Sequence, residues 1–137
     1  MKTLNIRTVA AFLFVTMITL ASCSKKKDDV VVPPSPMEGT WVGKWGFNNA
    51  VPANHFVLVI KNDGTLTVKE GNAINPNVGT GTWTLSESTF KATYSYTDSK
   101  DSKLALAAKL SDDKTQLAGS WGEVDVIGSG NILLSKQ

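Results

Sequence analysis

The chain has 137 residues, with 14 basic and 12 acidic side chains, one histidine, one cysteine and four tryptophans. A single cysteine leaves no internal disulfide, so stability must come from an apolar core, and one histidine with one cysteine cannot supply the usual zinc donor sets. Met1, Lys2 and Arg7 open a short positive segment, and an apolar run from Val9 to Ala21 follows. About a dozen residues is the length of a secretory signal core and falls short of the about 20 that a spanning helix needs. Without residues 1–22, twelve lysines face twelve acids and no arginine remains. Nucleic-acid readers rely on net positive charge and on the arginine fork, so that class is disfavoured. The remaining 115 residues suit one domain with one core.

The apolar run ends in Leu20-Ala21-Ser22-Cys23. This stretch resembles the bacterial lipobox, which implies diacylglycerol on the Cys23 sulfur, cleavage before Cys23 and acylation of the new terminus. Two or more acyl chains, at about 0.8 kcal/mol per buried methylene, give stable anchoring. Ser24–Asp29 is charged, and Val30–Pro36 carries Pro33, Pro34 and Pro36. Such a segment favours extended polyproline II conformation and reads as a tether. Lys27-Asp28-Asp29 is similar to the lysine-plus-two-acids export signal of surface-exposed lipoproteins in the Bacteroidetes. The resemblance implies an outer-membrane lipoprotein facing outward; a plain solvated linker is the alternative. The expected organisation is a signal peptide over 1–22, a lipidated cysteine and tether over 23–36, and one domain over 37–137.

From Met37 onward the texture is all-β: short alternating runs divided by turn residues, without a sustained helical period. The expected strands are Glu38–Gly46, Asn54–Lys61, Thr65–Glu70, Gly79–Leu85, Thr89–Thr97, residues 102–110, Gln116–Gly122 and Asn131–Lys136. Phe47–Ala53 and Gly71–Val78 read as loops. Asn62-Asp63-Gly64 is a hairpin signal, since Asp-Gly supplies positive φ. Residues 102–110 have helical composition but a period of two, and the period decides for strand. Glu123–Gly128 fits a loop or a short extension. Eight strands with short connections predict an antiparallel meander, and closing it into a small up-and-down barrel removes the exposed edges. A flat sandwich is the runner-up.

Each tryptophan follows a glycine two places earlier, at Gly39/Trp41, Gly43/Trp45, Gly81/Trp83 and Gly119/Trp121. Residues two apart share a face of a strand, so these glycines either make room for an indole or leave space for a ligand. Gly39-x-Trp41 on the first strand, followed by hairpins, resembles the calycin superfamily of lipocalins, fatty-acid-binding proteins and avidins, and small lipocalin-like lipoproteins of Bacteroidetes in particular. That resemblance implies a barrel that binds a small molecule. The chain departs from the lipocalin pattern twice: no late arginine exists to pack over Trp41, and nothing after Gly128 reads as a helix.

Sites for chemistry are sparse. His55 is out of phase with Phe56 and should face solvent, and no nucleophile elbow accompanies it. Glu123 and Asp125 could share a face, but they fall where a solvated turn is expected and not in a cleft. The acids at 98, 101, 112 and 113 lack calcium-loop spacing. Neither metal, cofactor nor enzymatic activity is expected. The aromatic set lies on the expected inner phase: Trp41, Trp45, Phe56, Trp83, Tyr94 and Trp121, with Phe90 and Tyr96. Eight strands enclose an interior that side chains can fill or that holds one small ligand, so these aromatics are core or binding site. The expected function is a monomeric, membrane-anchored carrier or sensor for a small apolar molecule or glycan. The alternative is a filled barrel that contacts an outer-membrane protein partner through its loops.

Overall fold

The computed structural model describes residues 34–137. Cys23, the lipobox, Lys27-Asp28-Asp29 and most of the expected tether lie outside the described residues. Eight strands follow one another: β1 Gly39–Phe47, β2 Asn54–Ile60, β3 Thr65–Glu70, β4 Asn77–Ser86, β5 Thr89–Tyr96, β6 Leu104–Leu110, β7 Gln116–Glu123 and β8 Val126–Lys136. Each pairs antiparallel with the next, and β1 pairs with β8 to close a barrel. The described residues contain no helix.

Alternation builds the interior. Phe56, Leu58 and Ile60 of β2, Leu66 and Val68 of β3, and Phe90, Ala92 and Tyr94 of β5 are all buried. β6 buries Leu106, Ala108 and Leu110, which decides residues 102–110 for strand. A fully buried leucine contributes about 1.5–3 kcal/mol, far more than the helix preference of alanine and lysine can offset. β8 begins at Val126, five residues before the expected Asn131. A two-residue turn, Val124-Asp125, joins it to β7, and a register shift lies at Trp121/Gly122. That shift and the glycines at 128 and 130 break the period-two signal there.

The two ends of the barrel differ. One is plugged. Chain entry is turned by Ser35, whose carbonyl accepts from Glu38 N at 3.0 Å, while its own N–H donates to Asn62 Oδ1 at 3.2 Å. This places Met37 in the core, fully buried. Trp41 is buried beneath it and donates its indole N–H to the Met37 carbonyl at 2.8 Å. Lys136 donates to Pro36 O at 2.7 Å, and its ammonium lies 5.7 Å from the Trp41 ring centroid. The chain lacks a late arginine to pack over Trp41, and a lysine lies over the ring instead. Ser35 and Pro36, read as tether, are bonded to the barrel.

Three of the Gly-x-Trp glycines have a different role from the one expected. A Cβ on Gly43, Gly81 or Gly119 would stand 2.0, 1.9 or 2.1 Å from a carbonyl oxygen of the adjacent strand. These are points where neighbouring backbones come close as the sheet curls, and they neither leave a gap nor seat an indole. The glycine that an indole does cover is Gly130. It pairs with Trp121, and a Cβ there would lie 2.4 Å from Trp121 Nε1.

Candidate functional site: a cavity at the open end

The opposite end is formed where β1, β3, β5 and β7 finish and β2, β4, β6 and β8 begin. A cavity of about 210 Å³ opens there. On one side stand Trp45, Phe47 and Trp121, mutually edge-on with ring centroids 4.7 to 5.4 Å apart. Trp45 and Phe47 share a phase of β1, so Phe47 belongs to the strand and the mouth, whereas the sequence placed it in a loop. Trp121 is fixed by its N–H, which donates to Gly46 O at 3.0 Å. The Trp45 indole N–H is buried without a partner.

On the other side stand Tyr94, Tyr96 and Glu70. Glu70 closes β3 on the inner phase of Leu66 and Val68. Tyr96 closes β5, two strands away, and β4 runs between them. Gly79 of β4, which pairs with Tyr96, makes the reach feasible. A Cβ there would lie 3.2 Å from both Tyr94 Cδ2 and Tyr96 Cδ1, so a larger residue would press on the two rings where they lie across β4. The Tyr96 hydroxyl then donates a short hydrogen bond to Glu70 Oε2. Burial pushes the Tyr94 phenol up to about 12, and burial, then Tyr94 and Glu70 nearby, raise Tyr96 further. Both phenols remain hydrogen-bond donors throughout the neutral range. The buried Phe56 and Ile132, with Leu104, complete the lining.

Of the six aromatics singled out from the sequence, four meet here: Trp45, Phe56, Tyr94 and Trp121. Trp41 and Trp83 do not. Trp41 belongs to the plug, and Trp83 stands near it, donating its indole N–H to Lys61 O at 2.9 Å and stacking on Phe90 at 6.2 Å. Sequence reasoning missed Glu70, although its phase with Leu66 and Val68 marks it as a charged residue on an inner face. It also missed Leu104 and Ile132, whose apolar character reads only as core. His55, Glu123 and Asp125 are exposed and lie outside the cavity lining. No group of three or more potential metal ligands occurs among the described residues.

The loops at this end of the barrel expose several apolar residues. Phe47 and Val51 around the β1–β2 loop, Ile74 in the β3–β4 loop, and Val124, Val126 and Ile127 in the β7–β8 hairpin are all exposed.

No protein-family model matches the chain, and no curated protein resembles it in sequence. Among solved structures, the chain is similar to a redesigned β-barrel, with 21% identity and a TM-score of 0.56 over 74% of this chain and 92% of that one. A mutant of the fluorescent protein UnaG matches at 11% identity and a TM-score of 0.41, over 74% of this chain and 96% of that one. The likeness to the redesigned barrel is one of fold: a closed, antiparallel eight-stranded β-barrel.

Proposed function

We propose that this protein is a non-enzymatic binding barrel, anchored to the outer membrane through lipidated Cys23, that takes a compact, largely apolar ligand into its open end. The observation that carries the reading is the asymmetry of the interior. At the plugged end, Trp41 and Trp83 have bonded indole N–H groups. At the other end, aromatic walls surround about 210 Å³ of unfilled space. An apolar cavity of about 150 Å³ already binds benzene, and drug-sized ligands use about 300–1,000 Å³. The fitting ligand is therefore small, and a long acyl chain would protrude. Few polar groups line the space, which favours an apolar body over a sugar ring. Kinship with the calycins is part of the proposal, supported by Gly39-x-Trp41 on β1 and by Lys136 over the Trp41 ring.

The test is a tryptophan-fluorescence titration of the whole chain with compact aromatic and alicyclic compounds, beside a Leu104→Phe variant that narrows the mouth. Saturable binding that weakens in the variant is expected; no response to any compound sinks the reading. Lipidation is tested by metabolic labelling with a fatty-acid probe, which should be lost in Cys23→Ala. The outward orientation implied by Lys27-Asp28-Asp29 is tested by protease accessibility on intact cells.

A second reading has its own support. The exposed apolar residues of the loops at the open end suit contact with an outer-membrane protein. Crosslinking from position 74 to a single protein, together with silence in the titration, would favour it.

A further inference from the structure

We propose that the ligand taken at the open end is a compact organic cation, an amine or quaternary ammonium group on a small apolar body, held between the aromatic faces and the Glu70 carboxylate. The inference rests on the small-ligand reading and names its ligand class.

Three observations converge on it. Among the described residues, Glu70 is the only charged side chain lining the cavity. No ion pair holds it among the described residues, and its one hydrogen-bond donor is the Tyr96 hydroxyl. A half-buried carboxylate set among aromatic walls attracts an entering cation. The walls themselves carry six aromatic rings: Trp45, Phe47, Phe56, Tyr94, Tyr96 and Trp121. Ring faces attract cations through their quadrupoles, most strongly where water is excluded, and cages of such rings recognise alkylated ammonium groups. An anion would meet the opposite: a negative residue, electron-rich faces, and no lysine in the lining.

Gly79 fits the same picture. Its missing side chain lets Tyr96 reach Glu70 across β4 and fixes the carboxylate from one side. Among the described residues, the other carboxylate oxygen receives no hydrogen bond and is left for the ligand.

The probes are choline and its uncharged carbon isostere 3,3-dimethylbutan-1-ol, which share shape and differ in charge. Each is titrated by calorimetry against the whole chain and against Glu70→Gln. Glutamine can still accept from Tyr96, so the wall keeps its geometry while losing its charge. The expected result is choline binding about tenfold or more tighter than the isostere in the unaltered protein, with the difference lost in Glu70→Gln. Equal binding of the two compounds overturns the cation inference without needing any variant, and leaves the small-ligand reading standing. Undiminished choline binding by Glu70→Gln overturns it as well. Silence from both probes, and from the neutral aromatics above, overturns the cation inference and the carrier reading together.

Discussion

Replacing Trp41 by phenylalanine should cost the barrel much of its stability and leave the open end intact. The substitution deletes the indole N–H that reaches Met37 O at 2.8 Å in a fully buried setting. Leaving that carbonyl unpaired costs about 1–3 kcal/mol. The void left by the lost ring adds roughly 1 kcal/mol. Weaker attraction for the Lys136 ammonium, 5.7 Å from the ring centroid, adds up to about 0.5 kcal/mol. The sum is about 2–4 kcal/mol, against a total of about 5–15 kcal/mol for a domain of this kind. With a urea slope of about 1–1.5 kcal/mol/M, the unfolding midpoint should fall by roughly 1–4 M. Equilibrium urea unfolding followed by circular dichroism measures this. A loss below about 0.5 M would refute the reasoning, because the plugged end would then not depend on the Trp41–Met37 contact.

Gly81→Ala should destabilise by about 2–4 kcal/mol or prevent folding, because its Cβ would meet Thr93 O at 1.9 Å and only a backbone shift relieves that. Gly64→Ala, with open space but φ +85°, should cost only about 1 kcal/mol in the same urea assay. Glu87 holds φ 55° in the β4–β5 turn, so Glu87→Gly should raise thermal stability by about 0.5–1 kcal/mol. Alkaline pH should unfold the protein through its buried phenols. Tyr94 is raised to about 12, whereas an unfolded tyrosine ionises near 10. The unfolded chain therefore loses protons first, so this contribution is complete below pH 10 and lost as pH rises through 12. Urea midpoints across that window should fall, and Tyr94→Phe should flatten the fall; a flat profile in the unaltered protein contradicts it.

The closed barrel was legible because burial follows a period of two. Phe90, Ala92 and Tyr94 carry it plainly in β5, and even in β6 the alternation of Leu106, Ala108 and Leu110 outweighed helical composition. The start of β8 was not legible, because a register shift and two glycines remove the alternation on which such reading depends. The site was half legible. Phase puts Trp45, Phe56, Tyr94 and Trp121 inside, but it cannot say at which end of a barrel a residue lies, so Trp41 and Trp83 were grouped with them. End is set by register: Trp41 pairs with Leu58 and Lys136, whereas Trp45 pairs with Asn54 and Ile132. The Gly-x-Trp repeat misled for a related reason. A glycine's purpose depends on what stands beyond the neighbouring strand, which one-dimensional spacing does not encode.

The most direct test of a packed end opposite a binding end is a nitrogen-15 NMR titration of the four indole N–H signals with the compounds that bind. The signals of Trp45 and Trp121 should shift in a saturable way, while those of Trp41 and Trp83 stay in place. Uniform movement of all four, or movement of Trp41 and Trp83 alone, would contradict the account.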